Sequence, residues 1–98
     1  MTYNKDLSIV ISLFNEEESL PELVSWIEKV MAAEGFNYEI IMVDDGSRDK
    51  SWKIIKELSE KNPSIRGISF RRNYGKSAAL YHGFAAAKKA VFGICIFR

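Results

Sequence analysis

A single cysteine, Cys95, among 98 residues rules out an internal disulfide, and its place in the apolar run Val91 to Phe97 reads as a buried structural thiol. No apolar run approaches the ~20 residues needed to cross a bilayer, and the N-terminus lacks the basic and then apolar pattern of a signal peptide. The expected setting is therefore the cytoplasm, with no membrane segment in this chain. Internal repeats and low-complexity tracts are absent too. The most informative scarcity is of negative charge: after Glu60 there is no aspartate or glutamate. Residues 1–60 carry 13 acidic and 6 basic side chains and residues 61–98 carry 8 basic ones alone, so the net charge of +1 conceals two opposed parts. A carboxylate-free second part suits a phosphate-bearing ligand, and the same split is equally what a piece of a longer chain would show. The length allows one buried core but is small for an enzyme that must hold two substrates. Nucleic acid is not an expected partner.

What is present is organised around Glu39 to Asp49. Four apolar residues, Ile40 to Val43, run into Asp44, Asp45 and Gly46, the pattern of a strand buried on both faces that ends at an acidic turn. Gly46 permits a sharp turn, and Ser47 or Asp49 is suited to cap the next helix. The aspartates read either as ligand-facing groups or as turn residues, and the local pattern does not separate the two.

Leu7 to Phe14 is β-branched and apolar enough for a central first strand. Ser19 and Glu22 match a capping box, with Pro21 tolerable in a first turn. Leu20, Leu23, Val24, Ile27, Val30 and Met31 then form one apolar stripe that Gly35 stops. Trp26 lies off the stripe and is expected to cover a neighbouring segment. Tyr38 to Val43 is the second strand and Asp49 to Lys61 the second helix, with Trp52, Ile55 and Leu58 inward, ended by Asn62-Pro63. Ile65 to Phe70 is a short third strand, Ser77 to about Lys88 an alanine-rich third helix, and Val91 to Phe97 a fourth strand. Such alternation predicts an α/β fold, a Rossmann-like open parallel sheet of order 3-2-1-4 with helices on both faces. Ligands of such sheets bind beyond the carboxyl ends of the strands, where the order reverses.

Three segments reach that edge: Ser12 to Glu16, Asp44 to Ser47, and Arg71 to Lys76. Carboxylates accept from sugar hydroxyls or a base N–H, Phe14 offers a stacking face, and Arg71, Arg72 and Lys76 suit a pyrophosphate beside the third helix's N-terminus. Singly, each basic residue reads as a solvated surface charge. His82 is read as a surface or packing residue rather than a base, and Tyr74 either as a base-stacking group or a lid. The order of motifs sets aside a phosphoacceptor receiver domain, in which the acidic pair follows the first strand.

Ser8-Ile9-Val10-Ile11-Ser12-Leu13-Phe14-Asn15-Glu16-Glu17, Val43-Asp44-Asp45-Gly46-Ser47-Arg48-Asp49 and Arg72-Asn73-Tyr74-Gly75-Lys76-Ser77-Ala78-Ala79-Leu80 together resemble family 2 glycosyltransferases. The likeness leans to the branch with dolichyl-phosphate mannose synthase and bacterial polyprenyl-phosphate glycosyltransferases. It covers roughly residues 7–88, with Ser12 standing where the family commonly has proline. The resemblance implies a GT-A fold and inverting transfer of a sugar from a UDP- or GDP-sugar to an acceptor, here a polyprenyl phosphate. It implies nucleotide contacts from Ser12, Phe14, Asn15, Glu16, Asp44, Asp45, Gly46, Arg71, Gly75 and Lys76, with Ser12 and Phe14 at the base and Asp45 bonding base or ribose. It also implies Mg²⁺ or Mn²⁺ on an Asp-x-Asp motif after the fourth strand, which would fall near Ile96 to Arg98; no such carboxylates exist here. Residues 1–98 thus read as one partial, truncated domain, the nucleotide-sugar-binding half without its acceptor half. No catalytic residue is assigned and no turnover is expected from the chain alone. The alternative is a non-catalytic nucleotide-binding or self-associating module; bare sheet edges lead either reading to expect a homodimer.

Overall fold

The computed structural model describes residues 6–35, 37–87 and 90–97, the last eight by their backbone alone. Strand and helix alternate as β1 (Asp6–Phe14), α1 (Leu20–Glu34), β2 (Asn37–Asp44), α2 (Ser51–Lys61), β3 (Ile65–Ser69), α3 (Lys76–Ala86) and β4 (Ala90–Phe97). Every pairing is parallel and the order is β3-β2-β1-β4, as the alternation predicts. Among the described residues no helix is long and apolar enough to cross a membrane.

The centre of the sheet is apolar on both faces. Ile9, Ile11 and Leu13 of β1 and Ile40 and Met42 of β2 lie under Leu20, Val24, Ile27 and Met31 of α1 and Ile55 of α2. Val10, Ile41 and Val43 point the other way and meet Ala79 of α3. At about 1.5–3 kcal/mol for each fully buried aliphatic side chain, this two-sided core outweighs any single polar contact at its rim. Arg66 of β3 ties the α3 side together, donating to Glu39 Oε1 and to the Ala86 carbonyl, each at 2.8 Å. A cation on the last carbonyls of α3 also opposes the helix dipole.

Three expectations need correction. The Ser19–Glu22 capping box does not form: Ser19 keeps helical backbone angles and its hydroxyl donates to Glu16 Oε2 at 3.0 Å. The Glu16 carbonyl accepts the N–H groups of Ser19 and Leu20 instead, so the turn before α1 is closed by backbone. Trp26 is not buried against a neighbouring segment among the described residues; it is 60% exposed on α1. The second helix starts at Ser51 rather than Asp49, because Asp49 bonds the Ser51 N–H from outside the helix. The expected burial of Cys95 lies outside the described side chains.

At the carboxyl edge the ladder runs on past the strands, with Asp45 N–H donating to Leu13 O and Phe70 N–H to Asp44 O, each at 2.9 Å. The segments after β1, β2 and β3 are thereby delivered to one edge.

On the opposite face from α1 and α2, Gly83 of α3 lies directly against the sheet. A β-carbon there would stand 2.3 Å from Val10 Cγ1 and 3.2 Å from Val43 Cγ2. Valine is stiff about its first side-chain torsion, so it cannot simply swing aside. On propensity alone Gly83→Ala would stabilise the helix by about 1 kcal/mol. We expect the contact to prevail, with a net loss of about 1–3 kcal/mol in urea unfolding. Adding Val10→Ala should make the pair less damaging than the sum of the two single changes.

Candidate functional site

The edge is assembled from backbone amides and short polar side chains. Beyond β1 the chain turns at Asn15, a non-glycine residue at φ 53°, and the next residues are held by the turn after β2. Asn15 N–H donates to Ser47 Oγ at 2.8 Å, Glu16 N–H to Ser51 Oγ at 2.9 Å, and Glu17 N–H to Asp49 Oδ2 at 3.2 Å. A return bond runs from Arg48 N–H to Asn15 Oδ1 at 2.9 Å. Within the turn, Asp44 Oδ1 accepts Ser47 N–H at 2.8 Å.

The third segment is fixed by Asp45. Its carboxylate is fully buried and accepts two successive amides, Tyr74 N–H at 2.8 Å on Oδ1 and Gly75 N–H at 3.0 Å on Oδ2. Gly46 then takes φ +76°, and a β-carbon on it would lie 2.3 Å from Arg72 C and 2.5 Å from Asn73 N. Glycine is needed twice over here, for the backbone angle and for the loop that rests on it.

Between these segments lies a cleft of about 410 Å³ lined by Phe14, Asn15, Gly46, Ser47, Arg48, Arg71, Arg72 and Asn73. Three arginines and, among the described residues, no aspartate or glutamate line it, which favours an anion, and guanidinium forks match phosphate oxygens in pairs. Of the residues expected from the sequence, Phe14, Asn15, Gly46 and Arg71 line this space. Ser12, Glu16, Asp44 and Asp45 are buried and do not line it. Ser12 Oγ is buried without a hydrogen-bond partner among the described residues. Gly75 caps α3 and Lys76 begins it, both outside the lining. Arg72, expected beside a pyrophosphate, lines it too, as do Ser47 and Asn73 from the segments expected at this edge; Arg48 was not expected, since it lies inside a motif but no spacing rule says that it borders the cleft.

Arg71 also borders a more apolar cleft of about 370 Å³, formed with Ser69, Phe70, Tyr74, Ala78 and His82. His82 stands edge-on to Phe70 at 5.4 Å, and Tyr74 at 5.6 Å, while Arg72 lies 5.1 Å from the Tyr74 ring centre. In this arrangement Tyr74 partners the protein's own arginine. Among the described residues no group of three or more His, Cys, Asp or Glu is placed to hold a metal ion.

Comparison with known proteins gives these features a context. Residues 8–95 match the model of glycosyl transferase family 2. The undecaprenyl-phosphate 4-deoxy-4-formamido-L-arabinose transferase of Aeromonas hydrophila is 41% identical over 85 residues, which cover 86% of this chain and 26% of that protein. Among solved structures, the mannosyltransferase PcManGT of Pyrobaculum calidifontis, in complex with GDP-Man and Mn²⁺, superimposes with a TM-score of 0.72 at 20% identity, over 90% of this chain and 26% of its own. The chain therefore spans about a quarter of the length of each.

Within the site Asp49 is the group whose titration is displaced. Burial pushes its pKa up, but the Ser51 hydroxyl (2.6 Å) and the Ser51 and Glu17 amides outweigh this and hold it below its ordinary value of 3.8. A lowered value means that folding favours the ionised form. The stabilisation is complete above the unfolded value and is lost as pH falls through the folded one. Urea midpoints followed through that acid range should fall for the parent chain. Asp49→Asn should be less stable near neutrality and lose less on acidification.

Proposed function

Because the chain belongs to glycosyl transferase family 2, we propose that it supplies the donor-nucleotide site of an enzyme that transfers a sugar from a UDP- or GDP-sugar to a polyprenyl phosphate. The observation that carries this reading is the cleft at the carboxyl edge, where three arginines and no carboxylate side chain meet an aromatic face and an amide. Arg48, Arg71 and Arg72 would take the diphosphate oxygens, Phe14 would stack on the base, and Asn15 and the Gly46 backbone would bond base or ribose. Lys76 and the N-terminus of α3 add positive potential beside the diphosphate. Ser12, Glu16, Asp44 and Asp45, all buried, do not line the cleft and would support its walls.

Mg²⁺ or Mn²⁺, which the resemblance implies, does not fit the residues of this chain. No acidic residue follows Glu60, and the described residues offer no ligand cluster. Nucleotide binding here is therefore read as arginine-driven. Metal and acceptor belong, in this reading, to the parts of full-length relatives that the chain does not span, so residues 1–98 form a partial domain that binds without transferring. Its setting is the cytoplasm, and its two edge strands, β3 and β4, favour pairing of two copies. Sedimentation across a concentration series tests that pairing; a monomer throughout would refute it.

Isothermal titration with UDP and GDP, with and without Mn²⁺, tests the central reading. We expect one base to be preferred, Mn²⁺ to change little, and Arg71→Gln and Arg72→Gln each to weaken binding about tenfold. Asp45→Ala should abolish it. No binding of either nucleotide at millimolar concentration would overturn the reading.

A further inference from the structure

We propose that Asp49 and Ser51, neither of which borders the cleft, are positioning residues for the nucleotide, holding the Phe14–Asn15 corner in its binding shape. The inference rests on the reading of the cleft as a nucleotide site. Three successive amides, those of Asn15, Glu16 and Glu17, leave β1 and are each accepted by a side chain of the turn before α2 or of the first residue of α2. Ser47, one of these acceptors, lines the cleft, whereas Ser51 is fully buried and Asp49, partly buried, is not in the lining.

The chemistry of the pair sets the direction of the bonds. Ser51 has one hydroxyl proton, and it goes to Asp49 Oδ1 at 2.6 Å. An ionised carboxylate only accepts, so it cannot return a proton to Ser51. The oxygen lone pairs of Ser51 are thereby left for the Glu16 N–H at 2.9 Å, while the second carboxylate oxygen takes the Glu17 N–H. With Glu16 and Glu17 pinned, the turn at Asn15 is held at φ 53°, an uncommon angle outside glycine that asparagine tolerates better than most residues. Asn15 in turn carries Arg48 through the bond from the Arg48 amide. Phe14, Asn15, Ser47 and Arg48, half of the cleft's lining, thus depend on two side chains that never touch its contents.

Titration of UDP and GDP into the 98-residue chain and four variants decides the matter. Ser51→Ala removes both donor and acceptor, and Asp49→Asn sets an amide N–H₂ against one of its former donors whichever way it turns. Ser51→Thr keeps the hydroxyl, and Ser59→Ala removes a hydroxyl of the same helix that bonds only the Lys56 carbonyl among the described residues. We expect Ser51→Ala and Asp49→Asn to weaken the better nucleotide about tenfold and to change the ratio of the UDP and GDP affinities. Ser51→Thr should retain both, and Ser59→Ala should behave as the parent. General loss of stability cannot imitate this, because it scales both affinities by the same folded fraction and leaves their ratio alone. Should Ser51→Ala fail to fold, Asp49→Asn carries the test. Parent binding with an unchanged ratio in the variants would overturn this inference alone. Failure of the parent to bind either nucleotide would overturn the proposed function and this role with it.

Discussion

A buried carboxylate must be matched by donors, and the match made by Asp45 is what shapes the carboxyl edge. Taking an ionised group out of water costs several kcal/mol unless its oxygens are occupied. Asp45 meets that demand with two consecutive amides from the segment after β3, and so draws a loop carrying Arg71 and Arg72 back across the end of β2. The loop can lie there only because Gly46 presents no β-carbon to Arg72 and Asn73. Remove the grip and the arginines have no fixed relation to Phe14 and Asn15. The cleft is therefore a consequence of satisfying one charge.

The same logic explains why the polar groups gather at this edge at all. The centres of β1 and β2 are apolar on both faces, so a polar side chain within them has no place except near the strand ends. Parallel pairing sends all three carboxyl ends the same way. The core thus sorts the chain by polarity before any ligand is involved, and the hydrogen bonds of Ser47, Asp49 and Ser51 lock segments that the sheet has already brought together.

The fold was largely legible from periodicity. Ile40 to Val43 announces a strand with two covered faces, the stripe from Leu20 to Met31 announces α1, and alternation of the two leads to the observed strand order. The misreadings have a common cause in short polar side chains with several candidate partners. Ser19 fits a capping box, yet Glu16 lies one turn earlier and offers both a carboxylate and a carbonyl. Asp49 fits a helix cap, yet it also serves Glu17, a residue 32 positions earlier that local pattern cannot see. The candidate site was legible as three segments but not as a surface. Motifs mark Asp44, Asp45 and Asn73 alike, and only the path of the backbone decides that Asn73 faces the cleft while the two aspartates face inward.

That inward turn bears on the charge split of the chain. Thirteen carboxylates before residue 61 might be expected to repel an anionic ligand from an edge built partly by that acidic half. They do not line it: Asp44 and Asp45 are buried against backbone amides, Asp49 is occupied by Ser51 and Glu17, and Glu16 is buried behind the corner. These four carboxylates accept from donors in the loops and at the start of α2. The charged residues that line the cleft are Arg48 from the acidic half and Arg71 and Arg72 from the basic one. An edge whose sequence is mixed in charge therefore presents an anion with one sign, and it does so by spending its carboxylates on structure.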